Sequence, residues 1–321
     1  MTLMRILILG AGATGGYFGG RLAQAGRDVI FLLRPRRATL LHERGLVLHS
    51  AYGDTTLQPA VTTDAASVVS VDFVLLTCKA YDLAGAIEAI APAVGRHTTV
   101  VPLLNGLAQY DALDARFGAA RVLGGFCGVH ATLTADGSIR QWGRPQRIRY
   151  GERNGQDSAR AQALEAAFAG TQTDHATTTD ILGESWEKWI LLASMAGTLC
   201  LMRADLATLM AAPHGRSIYR QAVDECRAVA TAAGHPPRQM ALDRIEKMCE
   251  QPAPDVTASM LRDLRAGHRV EADHCIGDLI RRAQGFGIDT PVLAAAYCHL
   301  KCYEALRAAP SAGTSGNSTS V

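Results

Sequence analysis

The chain has 321 residues, of which 48% are hydrophobic and 19% are charged, which is the balance of a globular protein long enough for two domains. Its 32 basic and 30 acidic residues leave a net charge of +2, and beyond a short basic segment at residues 34–37 nothing suggests a nucleic-acid partner. The longest uncharged apolar run, residues 189–202, is shorter than the ~20 residues of a membrane-spanning helix, so no membrane segment is predicted. The eight cysteines are scattered without a Cys-x-x-Cys pair, which favours a reduced, cytoplasmic compartment.

The chain begins with the pattern of a strand, a glycine loop, a helix and a second strand. Residues 4–9 are an apolar run that leads directly into the spacing G-x-G-x-x-G, and residues 29–33 form the next apolar run. In this context the spacing is a dinucleotide-binding fingerprint, because the glycines permit a tight turn, close approach of backbone N–H groups to a pyrophosphate, and packing of helix against strand. The start of the helix then faces the phosphates with its partial positive charge. The predicted cofactor-binding residues of this segment are Gly10, Gly12, Ala13, Thr14 and Gly15.

The residue after the second predicted strand favours NADP(H) over NAD(H). An NAD site usually has Asp or Glu here to accept a hydrogen bond from the ribose 2′-OH. This chain instead has Arg34, followed by Arg36 and Arg37, with no carboxylate before Glu43. A guanidinium binds the phosphate of a 2′-phosphorylated ribose through a forked, charge-assisted pair of hydrogen bonds. The alternative is a solvated basic loop; the predicted cofactor is NADPH.

Strand and helix patterns alternate up to about residue 175. Residues 71–77 are a nearly continuous apolar run, as expected for a strand covered on both faces. Asp136-Gly137 lies between alternating segments and is a hairpin signal. Together these patterns predict a doubly wound, Rossmann-like α/β domain with an added antiparallel portion over residues 1–178. The predicted strands lie at residues 71–77, 98–101, 122–133, 138–142 and 147–150, with helices at 81–93 and 109–117.

From about residue 179 onward the strand patterns stop and long helical patterns take over. Glycine- and proline-rich breaks at residues 234–237, 251–254 and 285–287 separate several of them. The sequence therefore predicts an all-helical substrate and dimerisation domain at residues 179–309, compatible with a homodimer, and a disordered tail at residues 310–321. The predicted helices lie at residues 181–201, 205–210, 216–233, 237–250, 257–265, 271–284 and 291–308.

Three polar residues are candidates for chemistry from their positions alone. In a protein built from a nucleotide-binding and a second domain, the active site commonly lies where the two meet. Lys79 and Asn105 follow predicted strands, at the carboxyl ends where such sheets bind ligands. Lys188 lies in an otherwise apolar helix, either snorkelling to water or held in a cleft for use. Periodicity alone favours the snorkelling interpretation.

Taken in order, these motifs resemble the ketopantoate reductase (2-dehydropantoate 2-reductase) family over nearly all of residues 4–305. The resemblance implies a Rossmann-like domain followed by a helical domain, with NADPH-dependent reduction of a small 2-oxo acid, 2-dehydropantoate, to pantoate in pantothenate biosynthesis. The matching segments are Gly10-x-Gly12-x-x-Gly15, Arg34, Cys78-Lys79-Ala80, Asn105-Gly106, Trp186-x-Lys188, Ser259-Met260-Leu261-Arg262-Asp263-Leu264, and Gly267-His268-Arg269-Val270-Glu271-Ala272-Asp273, which is similar to the family's G-x-x-T-E-I-D.

The resemblance also implies roles for individual residues. Lys188 would be the general acid that protonates the ketone oxygen as hydride arrives, because a positioned ammonium neutralises the developing alkoxide and delivers the proton. Glu271, at the start of a predicted helix, would bind the substrate and pair with the cationic centre. Asn105 would orient the substrate carbonyl and the nicotinamide, and Lys79 would contact the cofactor.

Ser259 and Asp263 would complete the substrate site. By the same resemblance Ser259 would hydrogen-bond the polar end of the substrate, and Asp263, one turn later on the same helix face, would hold the network. Each also has an ordinary interpretation: a surface hydroxyl for Ser259, and half of a solvated ion pair with Arg262 or Arg265 for Asp263. Glu271 likewise could be only a helix-start carboxylate.

Four positions depart from the family's pattern in the region that would bind substrate. Leu192 and Ala196, one and two turns after the lysine, and Ile276 replace asparagines, and Val270 replaces threonine. Each lost hydrogen-bonding group is worth roughly 1–3 kcal/mol in a site built to pair a hydroxyl. A bulkier or less polar 2-oxo acid is therefore an alternative substrate, and Leu192 and Ala196 are predicted to line its pocket.

A different class of function is also open: a non-catalytic NADP(H) sensor that has kept only the cofactor half. The retention of Lys188 and Glu271 argues against it, since a sensor needs no proton donor. The histidines are not spaced for metal binding, so no metal is predicted; those considered are His130, His175, His268 and His274.

Overall fold

The computed structural model describes residues 4–252 and 256–309, and the tail predicted at residues 310–321 lies outside them. The chain divides into two compact units, with the boundary between Trp186 and Glu187. The strands are β1 (Arg5–Leu9), β2 (Asp28–Leu32), β3 (Leu46–His49), β4 (Thr55–Leu57), β5 (Ala60–Thr62), β6 (Phe73–Leu76), β7 (Thr99–Pro102), β8 (Gly124–Leu133), β9 (Ile139–Gly151) and β10 (Asp174–Thr177).

A five-stranded parallel sheet in the order β5-β2-β1-β6-β7 forms the centre of the first unit. Ile6, Leu7 and Ile8 of β1 are fully buried, as expected for a strand covered on both faces. The strand order reverses between β1 and β6, so their carboxyl ends border the crevice in which doubly wound sheets bind ligands. This confirms the predicted Rossmann-like fold. The helices of this unit are α1 (Ala13–Gln24), α2 (Pro35–Arg44), α3 (Leu83–Ile90), α4 (Gln109–Phe117) and α5 (Ala159–Phe168).

The predicted antiparallel portion belongs to a second, mixed sheet in the order β10-β9-β3-β4, with β8 paired to β9. In this sheet β8–β9 and β3–β4 pair antiparallel, whereas β10–β9 and β3–β9 pair parallel. The predicted hairpin at Asp136-Gly137 is confirmed: β8 and β9 pair antiparallel, and Gly137 has a φ of +86°. The prediction of two strands at residues 138–142 and 147–150 is wrong, because β9 is continuous through Pro145. The register shifts between Val129 and Ala131 of β8, so Pro145 lies at an interruption of the ladder where its missing N–H is tolerated.

The second unit is helical, as predicted. Buried Glu225 accepts hydrogen bonds from the N–H groups of Val292 and Leu293, both at 3.0 Å, and so caps the N-terminus of the last helix. In the described residues no helix has the length and apolar character needed to span a bilayer. The first helix of the second unit, α6 (Ile181–Met202), begins before the boundary at Trp186 and continues into this unit. The others are α7 (Leu206–Ala211), α8 (Gly215–Ala232), α9 (Gln239–Glu250), α10 (Ser259–Arg265), a π-helical turn (Asp273–Gly277) that continues into α11 (Asp278–Gly285), and α12 (Pro291–Ala308).

Candidate active site

The glycine loop connects β1 to α1 at the carboxyl end of the central strand. Gly10 has a φ of +91°, which favours glycine, and its N–H donates to the Leu32 carbonyl at 3.0 Å. Helix α1 begins at Ala13 with Gly12 as its N-cap residue and without a side-chain cap. Its first backbone N–H groups are therefore available to an anionic group of a ligand.

Two glycines of the motif have different physical roles. A Cβ at Gly15 would lie 2.2 Å from Thr77 Oγ1 and 2.3 Å from the Gly10 carbonyl oxygen, so close packing requires glycine here. Thr77 cannot yield easily, because its hydroxyl donates to the Leu9 carbonyl at 2.7 Å. A Cβ at Gly12 would meet no atom within 4 Å. The space beside Gly12 therefore fits the pyrophosphate of a dinucleotide.

This difference predicts opposite effects of the same substitution. We expect Gly15→Ala to lower the free energy of unfolding by about 1–3 kcal/mol, because the methyl group overpacks the contact with Thr77. We expect Gly12→Ala to leave stability unchanged and to weaken NADPH binding, because its methyl group occupies the space beside the loop. Thermal unfolding and NADPH fluorescence titration of the two variants test this. An equal loss of stability in both would contradict the assignment.

The basic segment after β2 is the start of helix α2 rather than a loop, and its arginines are not equivalent. Arg34 is the N-cap residue of α2, its side chain is 82% exposed, and its Nη2 donates to Asp82 Oδ2 at 3.0 Å. Arg37 donates from Nε and Nη2 to the Ala11 carbonyl at 3.1 and 2.8 Å, and from Nη1 to the Gly137 carbonyl at 2.8 Å. Partial burial lowers the pKa of Arg37. Arg37 therefore holds the glycine loop, which corrects the grouping of Arg37 with Arg34 as a phosphate ligand.

Lys79 and Asn105 follow β6 and β7, at the same edge of the sheet as the glycine loop. Lys79 is the N-cap residue of a short 3-10 turn, Ala80–Asp82, and is half-buried. Asn105, also half-buried, precedes Gly106, whose φ is +76°. Gln109 Nε2 donates to the Gly106 carbonyl at 2.9 Å and fixes this loop. The structure thus brings the predicted cofactor residues of the first unit to one sheet edge.

The second unit carries the predicted acid, Lys188, and the predicted substrate-binding carboxylate, Glu271. Lys188 lies on α6 and is half-buried, whereas Glu271 is 7% exposed. Glu271 immediately precedes a helical segment whose first full turn is the π-helical turn, in place of the regular helix predicted at residues 271–284. The Trp189 indole Nε1 donates to the Cys275 carbonyl in that turn at 2.8 Å. π-Helical turns occur frequently at functional sites.

Ser259 and Asp263 lie on α10, as predicted. Ser259 is the first residue of the helix and is exposed, and Asp263 is half-buried one turn later. Asp263 Oδ1 lies 4.0 Å from His268 Nδ1, and its main-chain carbonyl accepts from the His268 N–H at 2.8 Å. Asp263 therefore also stabilises the end of α10, beside its predicted role in a substrate network.

The aliphatic replacements differ in how accessible they are. Leu192 is half-buried, and Ala196 is 5% exposed. Ile276 is fully buried, with its Cδ1 3.6 Å from where a Cβ at Gly197 would lie. Ile276 therefore packs in the helical core against α6, and Leu192 is the one of the three with substantial solvent access. Among the described residues, no three His, Cys, Asp or Glu side chains are grouped to hold a metal ion.

The sequence does not reveal the contacts of three residues, two in the first unit and one in the second. Thr77 fixes Gly15, Asp82 pairs with Arg34, and Trp189 binds the turn after Glu271. The signal for Thr77 was a hydroxyl at the end of an apolar strand. Asp82 and Trp189 have partners distant in sequence, so no local pattern reveals them.

Comparison with known proteins identifies the same two parts of the chain. Residues 6–155 match the family model "Ketopantoate reductase PanE/ApbA", and residues 180–304 match its C-terminal model. The chain is 34% identical over 302 residues to the uncharacterized oxidoreductase YkpB of Bacillus subtilis, covering 94% of this chain and 99% of that protein. It is 29% identical to 2-dehydropantoate 2-reductase of Halobacterium salinarum, covering 90% and 95% of the two chains. The crystal structure of a PanE/ApbA family ketopantoate reductase from Ralstonia eutropha superposes with a TM-score of 0.86 at 27% identity, covering 95% and 99%.

Proposed function

The chain belongs to the ketopantoate reductase PanE/ApbA family, and on that premise we propose that it reduces 2-dehydropantoate to pantoate in pantothenate biosynthesis. As a member of that family it is an NADPH-dependent oxidoreductase acting on CH–OH groups. The finer assignment of substrate and residue roles is our proposal. NADPH, when bound, supplies the hydride.

The observation that carries the proposal is that the helical unit holds a half-buried lysine and a buried carboxylate on two segments, α6 and the turn after Glu271, that the Trp189–Cys275 hydrogen bond joins. Lys188 donates a proton to the ketone oxygen as that oxygen gains negative charge, so that no free alkoxide forms. Glu271, held in a largely buried position, accepts a hydrogen bond from the substrate and balances the lysine charge. In the first unit Asn105 orients the carbonyl and Lys79 contacts the cofactor, while Ser259 and Asp263 of α10 hold the polar end of the substrate.

The test is steady-state NADPH oxidation by the purified protein with 2-dehydropantoate. The same assay is run with NADH in place of NADPH, and with a panel of bulkier 2-oxo acids. We expect turnover with 2-dehydropantoate and preference for NADPH. Saturable NADPH binding without oxidation by any 2-oxo acid would contradict the proposal and favour a cofactor sensor.

A second candidate substrate is a bulkier or less polar 2-oxo acid. Leu192 and Ala196 present aliphatic groups where the family resemblance leads us to expect amides, and Val270 replaces a hydroxyl. Because an unpaired substrate hydroxyl is disfavoured in such a pocket, these replacements favour a substrate with fewer hydroxyl groups.

Restoring the amides separates the two candidates. If the aliphatic groups disfavour 2-dehydropantoate, we expect Leu192→Asn with Ala196→Asn to raise kcat/KM for it by about 5- to 100-fold, from about 1–3 kcal/mol of recovered hydrogen bonding. Leu192→Ala is the matched control, because it adds space without a hydrogen-bonding group. A fall in activity with the double asparagine variant would argue against the altered-pocket interpretation.

A further inference from the structure

We propose that Trp189 is a positioning residue for the reduction: its indole N–H holds the turn that follows Glu271 against α6, the helix that carries Lys188. The inference rests on the proposed function, because it gives Lys188 and Glu271 their proposed roles. Trp189 itself touches no reacting atom in this proposal and acts through the placement of those two side chains.

A short chain of buried hydrogen bonds connects the two helical segments. Trp189 is 1% exposed, and its Nε1 donates to the Cys275 carbonyl at 2.8 Å. The Cys275 N–H in turn donates to the Glu271 carbonyl at 2.9 Å. One residue, Cys275, therefore links the neighbour of Lys188 to the main chain of Glu271. An indole N–H is a single donor on a rigid ring, so this bond defines one spacing between α6 and the turn.

The indole ring is itself held in place from its face. The Arg282 guanidinium carbon lies 5.6 Å from the Trp189 ring centroid, within the range of a cation–π contact. Arg282 Nε donates to Asp278 Oδ2 at 3.0 Å, and Asp278 is 1% exposed. The ring that makes the hydrogen bond to Cys275 therefore has a fixed orientation of its own.

The π-helical turn is also held by α12. Tyr297 donates its hydroxyl to Asp273 Oδ1 at 2.6 Å, and Lys301 Nζ donates to Asp273 Oδ2 at 3.0 Å. A Cβ at Gly277 would lie 3.0 Å from the Tyr297 ring, so the turn packs closely on that helix. The Asp273 contacts are exposed, whereas the Trp189 contact is buried. The buried bond therefore contributes most to fixing the turn.

This placement matters because proton transfer depends steeply on distance. A general acid acts only within hydrogen-bond reach of the oxygen that it protonates, and a displacement of ~1 Å lowers the rate by ~10²-fold. Without the indole N–H, the Cys275 carbonyl is left buried with one bond fewer, and the turn shifts to recover it. The spacing between Glu271 and Lys188 then changes.

The test is Trp189→Phe, which keeps an aromatic ring and removes the donor. We expect kcat to fall about tenfold or more, with the NADPH dissociation constant unchanged. Ser194→Ala is the matched control, because Ser194 is also buried on α6 and its hydroxyl donates within the helix, to the Ile190 carbonyl at 2.7 Å. We expect the control to keep kcat even where it lowers the melting temperature. Equal kcat in the two variants would overturn the proposal.

A double variant separates positioning from general loss of structure. In the Lys188→Ala background, Trp189→Phe should lower the residual turnover no further, because its proposed effect is on the spacing between Glu271 and the Lys188 ammonium, and that ammonium is gone. A further tenfold fall there would overturn the proposal. If Trp189→Phe does not fold, Arg282→Ala is the second variant, because it removes the cation–π contact that orients the Trp189 ring. We expect a severalfold fall in kcat that likewise vanishes in the Lys188→Ala background, and an unchanged kcat would overturn the proposal.

The same variants distinguish an error in the proposed function from an error in the positioning role of Trp189. If Lys188→Ala alone keeps full turnover, the assignment of Lys188 as the acid is wrong. If Lys188→Ala abolishes turnover while Trp189→Phe behaves like Ser194→Ala, only the positioning role of Trp189 is wrong.

Discussion

Replacing Lys188 with alanine is expected to lower turnover by about 10²–10⁴-fold while leaving NADPH binding intact. The physical reason is that hydride addition to a carbonyl develops negative charge on oxygen, and the variant has no ammonium to neutralise it or to donate the proton. In the proposed mechanism the charge of Glu271, which is largely buried, would also no longer be balanced by the lysine. The measurements are kcat from NADPH oxidation and the NADPH dissociation constant from fluorescence titration.

Lys247→Ala is the matched control, because Lys247 is an exposed lysine on α9 of the same unit. We expect it to change neither quantity. Wild-type turnover in Lys188→Ala would mean that Lys188 only extends to water from an apolar helix, as its sequence environment alone suggests.

The second large effect concerns the choice of cofactor. Arg34→Ala is expected to weaken NADPH binding by about 10- to 100-fold and to leave NADH binding unchanged, because a hydrogen bond to a charged group is worth about 1.5–3 kcal/mol. Arg34 suits this role since its guanidinium is exposed at the end of β2 and is held by Asp82 at 3.0 Å. Parallel titrations with NADPH and NADH give the ratio that tests it.

Variants of two other arginines of α2 show whether the effect of Arg34→Ala is specific to the 2′-phosphate. Arg44→Ala removes an exposed charge from the far end of the helix and should leave both affinities unchanged. Arg37→Ala should weaken NADPH and NADH alike, because Arg37 holds the Ala11 carbonyl of the glycine loop. Equal losses of the two cofactors in Arg34→Ala would contradict the assignment of Arg34 to the 2′-phosphate.

The long helices of the second unit could be predicted closely from the sequence. The predicted helix at residues 291–308 coincides with α12, and that at 181–201 differs from α6 by one residue. Both are long periodic segments, and α12 also begins with a proline at its first position. The glycine loop was equally accessible, because its function depends on a local spacing and on the strand that precedes it.

The short elements of the first unit could not be predicted in the same way. Strands β3, β4 and β5 have three or four residues each. β3 pairs with β9, which is distant in sequence, β5 pairs with β2, and β4 pairs with β3. Local patterning is too brief to identify them. The sequence predicts ordinary helix at the π-helical turn, because its apolar positions have the periodicity of a regular helix, whereas the contacts of the turn come from α6 and α12.

Among the candidate site residues, the type of a residue predicts its role less well than its position in the fold does. Arg34 and Arg37 are both basic and three residues apart. Arg34 is exposed after strand β2, whereas Arg37 donates hydrogen bonds to two main-chain carbonyls. Trp189 and Cys275 are 86 residues apart, so only the fold reveals their hydrogen bond. Ile276 resembled a pocket residue by its place in the motif, whereas the structure buries it in the core.

The central claim is that the protein transfers hydride from NADPH to the carbonyl carbon of a 2-oxo acid, and isotope transfer tests it most directly. The protein would be incubated with 2-dehydropantoate and NADPH carrying deuterium on either face of nicotinamide C4, and the product analysed by mass spectrometry. We predict one deuterium at C2 of pantoate from one face only. Pantoate formed without deuterium from either face, or no reduced product while NADPH remains bound, would contradict the account.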